Sequence, residues 1–303
     1  MKIRALVTGL LVGSLALTAC GKEGAPAAGD GAAGTNAASL PTYAVAQNAD
    51  VAGSPTFAKF KARGGLIIGV KDDQPGLGQK DPTTGKYSGF DIEIARLIAA
   101  NLGYPEDKIT FKPVQSLGRE QAIANGDIDY YVGTYTISDK RKQLVSFAGP
   151  YFVAGQDLLV RKDDSSITGP ETLKGKKVCS ATGSTPVQRV REQGLTEAGN
   201  IVEFQGYSQC VEKVISKEVD ALTTDDAILK GYAAQEPEQL KVVGKTFSKE
   251  PYGVGMNKDD KALRDKVNDV LQTALDDGTW QKIYDATLGK SGSPAQKPAL
   301  DRY

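Results

Sequence analysis

Leu66-Ile67-Ile68-Gly69-Val70 is an apolar run of five residues that is flanked by Gly65 and Lys71. A short apolar run with these boundaries is typical of a buried β-strand. From Gly89-Phe90-Asp91 to about Asn101, large apolar residues recur at the three- and four-residue spacing of an amphipathic helix. A buried strand followed by such a helix is the repeating unit of α/β proteins.

The same alternation continues along the chain. It predicts strands at 109–114, 128–132, 157–161, 177–179 and 221–224, and helices at 119–124, 186–193, 208–216, 226–234, 261–275 and 279–288. We therefore predict an α/β fold with two lobes: residues 53–152 and 250–290 would form the first and residues 153–249 the second. Hinge crossovers are expected near 151–155 and 248–252, and a central cleft between the lobes is a usual place for a small ligand.

The N-terminal residues are typical of an export signal. Lys2 and Arg4 precede an apolar stretch, residues 5–17, that is shorter than the roughly 20 residues needed to span a bilayer. Leu17-Thr18-Ala19-Cys20 matches the bacterial lipobox. We predict a signal peptide at 1–19 and a diacylglycerol anchor on Cys20; the alternative is an ordinary signal peptide with a chance cysteine.

Two segments have the composition of flexible chain. Residues 20–52 are rich in Ala and Gly and contain few large apolar residues, so we expect a tether between the lipid anchor and the globular body. The C-terminal tail, residues 291–303, is expected to be loose because it begins Ser291-Gly292-Ser293-Pro294.

Composition excludes several classes of function. The chain contains no histidine, which rules out His-based triads and His-ligated zinc, and no metal or other cofactor is expected. Basic and acidic residues number 37 each and form no basic block, so nucleic acid is not an expected partner. Because an exported protein meets an oxidising exterior, a disulfide between Cys179 and Cys210 is the default expectation.

Several polar residues follow predicted strand ends, where they can face a cleft. Arg141 lies one helical turn inside a helix capped by Ser138-Asp139, and Thr136 precedes that cap. Thr185 is a suitable helix N-cap, and helix starts bind anions. Asp225 follows the predicted strand at 221–224. Lys71 directly follows the first predicted strand, and Arg119 begins a predicted helix.

Each of these residues also has an ordinary structural interpretation. Spacing alone favours a solvated Arg141 on a capped surface helix and a merely well-capped helix at Thr185. Asp225 and Asp226 can equally cap the next helix, and a lysine or arginine such as Lys71 or Arg119 is usually a surface charge.

Taken together, the motifs resemble the family-three bacterial solute-binding proteins, which bind polar amino acids for ABC importers. The resemblance covers about residues 65–288. It rests on the order of five motifs: Gly89-Phe90-Asp91-Ile92-Glu93, Asn125-Gly126-Asp127-Ile128-Asp129, Thr136 through Arg141, Phe147-Ala148-Gly149-Pro150-Tyr151 and Asp259-Asp260. Within the family, Lys71 through Gly78, Cys179 through Pro186, Tyr207 through Glu212 and Val219 through Asp225 resemble the glutamate-binding lipoproteins, in which the paired cysteines recur.

The resemblance implies a binding role for each candidate residue. Arg141 and Thr136 would hold the ligand α-carboxylate together with the N–H groups of Ser184 and Thr185. The ammonium would be held by Asp225, the Thr134 carbonyl and the Thr136 hydroxyl. Arg119 matches an arginine that reads the side-chain carboxylate in related binders of acidic amino acids.

Lys71 and Gln74 depart from the glutamine-binding relatives, which have an aspartate and commonly an aromatic residue at these places. A lysine suits an anionic side chain, so glutamate is the expected ligand, and Tyr87 and Tyr135 are candidates to pack over it. The resemblance implies a lipid-anchored protein on the extracytoplasmic face of the membrane that has no enzymatic activity and passes its ligand to an importer permease. Two alternatives remain open: an exported dehydratase-like enzyme of the same fold, and a sensor that signals to a membrane kinase.

Overall fold

The computed structural model describes residues 39–291 and 295–303. The predicted signal peptide, Cys20 and the first part of the predicted tether lie outside these residues. None of the helices in the described part of the chain is long and apolar enough to cross a membrane.

Within the described residues, the helices are α1 (Pro55–Arg63), α2 (Phe90–Asn101), α3 (Arg119–Ala124), α4 (Asp139–Lys142), α5 (Thr185–Glu192), α6 (Tyr207–Ile215), α7 (Asp226–Gln235), α8 (Lys261–Asp276) and α9 (Thr279–Ala286). The strands are β1 (Leu66–Val70), β2 (Asp73–Gln74), β3 (Gly78–Lys80), β4 (Tyr87–Ser88), β5 (Ile109–Pro113), β6 (Tyr130–Tyr131), β7 (Ser146–Ala154), β8 (Gln156–Arg161), β9 (Val178–Ala181), β10 (Ile201–Phe204), β11 (Ala221–Asp225), β12 (Leu240–Val242) and β13 (Glu250–Met256).

Two five-stranded sheets of matching design organise the chain. The first has the order β5-β1-β6-β13-β7 and the second the order β10-β9-β11-β8-β12. In each sheet four strands run in one direction, and the remaining strand, β13 in the first sheet and β8 in the second, is antiparallel to both of its neighbours. A small antiparallel sheet, β2-β3-β4, lies between β1 and α2 in the chain. We call the part built on the first five-stranded sheet, together with this small sheet, lobe 1, and the part built on the second five-stranded sheet lobe 2. The predicted two-lobe α/β fold is confirmed.

Two connections link the lobes. Strand β7 of lobe 1 passes through Gly155 into β8 of lobe 2, and residues 243–249 lead from β12 back to β13. The two lobe 1 strands at this point pair antiparallel, with Ala154 opposite Glu250 and Phe152 opposite Tyr252. The predicted crossovers near 151–155 and 248–252 fall at these connections and at the paired strand ends beside them.

The interior beside these connections is aromatic. Trp280 of α9 stacks on Tyr284, and its indole N–H donates to the Tyr151 carbonyl at 2.8 Å. Phe90 at the start of α2 packs edge-on against Trp280. Aromatic side chains bury large apolar areas, so α2, α9 and the hinge strand β7 are held together at this point.

Both segments expected to be flexible contact the body where they are described. Near the N-terminus, the Tyr43 hydroxyl donates to Glu93 at 2.8 Å and the Ala46 N–H donates to the Ala100 carbonyl at 2.9 Å. Val51 is buried, and α1 begins at Pro55 with Ser54 as its cap. Tyr43 and Val51 supply apolar contacts that average composition does not reveal, so the described end of the 20–52 segment is not free chain.

The last residues of the chain lie along lobe 1. The Asp301 N–H donates to the Gly149 carbonyl at 2.8 Å, and the Phe147 N–H donates to the Tyr303 hydroxyl at 2.9 Å. The Tyr303 ring lies 4.1 Å from the Lys142 ammonium and 4.3 Å from the centre of the Arg264 guanidinium. Cation–π and hydrogen-bond contacts therefore attach residues 301–303 to β7, α4 and α8.

Candidate ligand-binding cleft

Lys71 and Arg119 form a buried cationic pair on lobe 1. Lys71 directly follows β1, and its ammonium donates to the Ser116 hydroxyl at 2.9 Å. The Arg119 Nε–H donates to the carbonyl of the same serine at 3.1 Å. The side chain of each is almost fully buried. Burial lowers the pKa of Lys71 to about 7, and the positive charge of Arg119 adds to this shift. These two residues are therefore not the surface charges that spacing alone favours.

Arg141 lies close to this pair, because Arg141 and Arg119 both contact the ring of Tyr135. Ser138 caps α4, as predicted, and Arg141 is buried. The centres of the Arg141 and Arg119 guanidinium groups lie 5.0 and 4.2 Å from the centre of the Tyr135 ring. Burial lowers the pKa of Arg141 to about 10, with the charge of Arg119 as the second cause. Tyr135 thus supports the cations, whereas Tyr87 packs against Phe111.

The hydrogen bonds of Arg141 connect the two lobes. One terminal nitrogen, Nη1, donates to the Thr136 carbonyl at 2.8 Å, and the other, Nη2, donates to the Gly183 carbonyl of lobe 2 at 3.4 Å. Its Nε lies 3.3 Å from a Glu120 carboxylate oxygen. Since each terminal nitrogen carries two N–H groups, one on each remains for a further acceptor. Such a fork suits a carboxylate.

Thr134 adopts an uncommon backbone conformation that a buried carboxylate holds in place. Its φ is +46°, in the left-handed region, and its N–H donates to Asp91 Oδ2 at 2.9 Å. The Tyr151 hydroxyl donates to the other oxygen of Asp91 at 2.8 Å. Burial raises the pKa of Asp91 to about 7. The Gly89-Phe90-Asp91 motif therefore does more than begin α2: its aspartate orients a predicted ligand-binding residue.

Gln74 lies beside a predicted site residue, and sequence reasoning did not select it as a ligand contact. Its Oε1 accepts a hydrogen bond from the Thr134 hydroxyl at 3.1 Å. Its Nε2 is buried and has no hydrogen-bond partner among the described residues. A buried donor without an acceptor is costly, so the amide is suited to donate to a ligand oxygen.

Lobe 2 contributes Ser184 and Thr185. Helix α5 begins at Thr185, and Ser184 is its cap, because the Ser184 hydroxyl accepts from the Val187 N–H at 3.3 Å. The predicted cap at Thr185 is therefore one residue too late. The Thr185 hydroxyl instead reaches the Thr136 hydroxyl of lobe 1 at 3.4 Å. The Ser184 N–H donates to the Ala181 carbonyl at 3.2 Å, so that donor is already used within the turn.

Asp225 ends β11 and carries an unpaired oxygen. The Tyr252 hydroxyl donates to Asp225 Oδ2 at 2.6 Å, whereas Oδ1 is buried and has no partner in the described part of the chain. Burial raises the pKa of Asp225 to about 7, and the charge of Glu250 adds to the shift. The neighbouring Asp226 pairs with Lys230 at 2.7 Å and accepts from the Gly155 N–H. Asp225 is therefore available to a cation.

The structure connects the predicted site residues into one set. Thr136 forms an isolated antiparallel bridge with Tyr252, which in turn bonds Asp225. Lobe 1 provides one wall of the cleft with Lys71, Arg119, Thr134, Thr136 and Arg141. Lobe 2 provides the other wall with Ser184, Thr185 and Asp225. Cys179 and Cys210 form a disulfide that ties β9 to α6 in lobe 2, as expected.

Comparison with known proteins identifies the family. Residues 66–290 match the bacterial extracellular solute-binding proteins, family 3. The chain belongs to this family. Among similar solute-binding proteins, the glutamine-binding protein of Geobacillus stearothermophilus is 44% identical over 210 residues, which cover 69% of this chain and 79% of that protein. The glutamate-binding protein GluB of Corynebacterium efficiens is 36% identical over 276 residues, which cover 88% and 93%, respectively.

A solved structure of the same fold supports this assignment. An ancestral arginine-binding protein bound to glutamine is 39% identical to this family 3 chain, with a TM-score of 0.69, and the match covers 75% of this chain and 99% of that one. The predicted family resemblance is confirmed.

Proposed function

We propose that this solute-binding protein captures an amino acid, preferentially glutamate, between its lobes and delivers it to the permease of an ABC importer. The observation that carries the proposal is the charge distribution in the cleft, with cations on lobe 1 and a carboxylate on lobe 2. Three buried cations, Lys71, Arg119 and Arg141, form a connected cluster on lobe 1. Asp225 accepts a hydrogen bond from Tyr252 of lobe 1 on one carboxylate oxygen, and its other oxygen is buried and has no partner among the described residues.

The α-carboxylate is assigned to Arg141. Its two remaining N–H groups supply the bidentate contact, and the Thr185 N–H at the start of α5 supplies a third donor, since helix starts attract anions. The Ser184 N–H, which the family resemblance also implied, is excluded from this role because it donates to Ala181. Ser184 instead fixes the first turn of α5.

The ammonium is assigned to Asp225, with the Thr134 carbonyl and the Thr136 hydroxyl as further acceptors. An ammonium placed at Asp225 Oδ1 removes the cost of an unpaired buried acceptor. It also supplies the positive charge that favours ionisation of a carboxyl whose pKa burial has raised. The left-handed turn at Thr134, held by Asp91, determines where that carbonyl points.

The ligand side chain is assigned to Lys71, Arg119 and Gln74. Burial and repulsion by Arg119 disfavour the charged form of Lys71. An anionic ligand side chain would offset both effects, because it attracts the ammonium charge. The Gln74 Nε2 donor suits a carboxylate oxygen or an amide oxygen. Glutamine therefore also fits, but it leaves Lys71 and Arg119 facing a neutral group. Relatives named for each of these two ligands support this chemical class.

Calorimetry with glutamate and glutamine tests the assignment. We expect glutamate to bind more tightly to the unmutated protein. Arg119→Ala should weaken glutamate more than glutamine, whereas Arg141→Ala should weaken both alike because it reads the common α-carboxylate. Glutamine binding that equals or exceeds glutamate binding in the unmutated protein would contradict the side-chain assignment and leave the α-carboxylate site intact.

We further propose that Cys20 is lipidated and holds the protein at the extracytoplasmic face of the membrane. The support is the lipobox sequence Leu17-Thr18-Ala19-Cys20 together with the family's extracellular character. Cys20→Ser should leave the precursor unprocessed or release the protein into the medium. Normal processing and retention of that variant would contradict the anchor.

A further inference from the structure

Helix α7 of lobe 2 contacts the turn after β2 of lobe 1 at a glycine. A Cβ atom built on Gly231 would overlap the Pro75 carbonyl oxygen and approach the carbonyl carbon and the Cβ of Pro75 to 3.2 Å. The overlapping atom belongs to the backbone, so no side-chain rotation removes the conflict. In this arrangement of the lobes, position 231 has no room for a side chain.

The same turn is held by neighbouring lobe 2 groups. The Tyr232 hydroxyl donates to the Asp73 carbonyl, and the Ser208 N–H donates to Asp73 Oδ2 at 3.3 Å. Asp73 directly precedes Gln74, which is assigned to the ligand side chain. The contact at Gly231 is therefore part of the interlobe surface that surrounds this part of the cleft.

A second contact of the same kind between the lobes lies at Gly183. A Cβ on Gly183 would lie 2.7 Å from the Leu117 Cα and 2.9 Å from the Leu117 nitrogen, which are backbone atoms of lobe 1. Gly183 also has a φ of +76°, so its own turn requires glycine whatever the position of the lobes.

Gly231 differs from Gly183 in this respect. It lies inside α7, and its φ is not positive. Glycine inside a helix costs about 0.5–1 kcal/mol relative to alanine, so the helix itself gives no reason for it. The reason lies in the contact with Pro75, which belongs to the other lobe.

We infer that Gly231 is an affinity-determining residue: its missing side chain allows lobe 2 to close against the Pro75 turn over the bound ligand. The inference rests on the proposed function, because closure has an effect on affinity only if the cleft takes a ligand. A side chain at position 231 holds the lobes apart and leaves both halves of the site intact. The loss of affinity should therefore be the same for every ligand that the cleft binds.

The test compares Gly231→Ala with Gly199→Ala. Gly199 also belongs to lobe 2, its φ is not positive, and a Cβ there meets no atom within 4 Å. Calorimetry with glutamate and with glutamine should show a loss of about 10- to 100-fold for Gly231→Ala, equal for both ligands, as expected for overpacking of a tight contact. Gly199→Ala should bind as the unmutated protein does.

Two further measurements separate closure from misfolding. The unliganded Gly231→Ala protein should unfold at the same temperature as the unmutated protein or at a higher one, because alanine favours the helix. With saturating ligand its radius of gyration by X-ray scattering should exceed that of Gly199→Ala. Unchanged affinity of Gly231→Ala overturns the inference and leaves the proposed function standing.

If the unmutated protein binds neither amino acid, the proposed function fails, and the inference fails with it because an effect on affinity requires a ligand. If the unmutated protein binds and Gly231→Ala binds equally well, the inference alone fails.

Discussion

The Tyr252 hydroxyl donates a 2.6 Å hydrogen bond to Asp225, and this bond joins a hinge strand of lobe 1 to the end of β11 in lobe 2. Tyr252 and Asp225 are both buried. The bond uses one carboxylate oxygen and leaves the other without a partner among the described residues. Tyr252 therefore orients the carboxylate that we assign to the ligand ammonium.

Tyr252→Phe should weaken the binding of every amino acid that the cleft accepts. Without this donor the ionised form of Asp225 is less favourable, so more free energy is needed to place an ammonium beside it. Hydrogen bonds to charged groups contribute about 1.5–3 kcal/mol, which corresponds to roughly 10- to 150-fold in affinity. Calorimetry measures the loss.

Tyr130→Phe is the matched control for that variant. Tyr130 is equally buried, and its hydroxyl donates to the Ala95 carbonyl at 3.1 Å, away from the assigned ligand contacts. Its removal should lower thermal stability and leave affinity unchanged. Equal affinity losses in the two variants would show that Tyr252 acts only through general stability.

The stability of the unliganded protein should depend on pH through Asp225. Its pKa is about 7 in the folded protein, against 3.8 for an exposed aspartate, so the folded state retains a proton that the unfolded chain loses. The free energy of unfolding should therefore fall as pH rises from about 4 to about 7. In Asp225→Asn that fall should be smaller by a few kcal/mol, measured by denaturant unfolding at several pH values.

Asp91 provides an internal comparison. Its pKa is also raised to about 7, and it is present in both proteins, so its contribution to the pH dependence cancels between them. If Asp225→Asn and the unmutated protein show the same slope, the pKa of Asp225 is not raised in the folded state.

Lys71 should make the preference for glutamate depend on pH. Its pKa lies near 7, because burial and the charge of Arg119 lower it, whereas Asp73 and Asp72 oppose the shift. As pH rises from 6 to 9, Lys71 loses its proton, so the affinity ratio of glutamate to glutamine should fall. The common α-amino group cancels in this ratio. Titration calorimetry of both ligands across this range gives the measurement.

Lys71→Met removes the charge and keeps much of the side-chain volume. The affinity ratio of this variant should be lower than that of the unmutated protein at pH 6 and should not change with pH. A ratio that still falls with pH in Lys71→Met would assign the titration to another group.

The Cys179–Cys210 disulfide should stabilise lobe 2. It closes a loop of 31 residues in sequence, for which the chain-entropy model gives about 3–4 kcal/mol. The double variant Cys179→Ser and Cys210→Ser should therefore unfold at a lower denaturant concentration. Reduction of the unmutated protein should reproduce the loss, and reduction of the double variant should change nothing. Two alkylatable thiols in the exported protein would contradict the bond.

The sequence predicts the fold well where its patterns are local. Strand β1 and helix α2 follow directly from apolar runs and helical spacing. The hinge strands β7 and β13 are harder to predict, because Gly149, Pro150 and Pro251 are typical of loops and the strands exist through pairing with each other. Helix α1 was missed, although Ser54 and Pro55 form a good helix start.

The candidate site residues also differ in how well the sequence predicts them. Arg141 and Asp225 were selected because they follow strand ends within recognisable motifs. Gln74, which we assign to the ligand side chain, was missed because a neutral amide before a proline is typical of a turn. Its hydrogen-bond partner, Thr134, is 60 residues away in the sequence. The same holds for Asp91, whose role depends on Tyr151 and Thr134. Long-range partners of this kind leave no local pattern.

The attachment of residues 301–303 to lobe 1 affects how the protein is best labelled or immobilised. Lys142, which contacts both Asp301 and the Tyr303 ring, is the direct neighbour of Arg141 on the four-residue helix α4. A purification tag or a fluorophore joined to Tyr303 would disturb the helix that presents Arg141, the residue to which we assign the ligand α-carboxylate. A biosensor built on this protein should therefore carry its reporter on an exposed lobe 2 side chain such as Lys217.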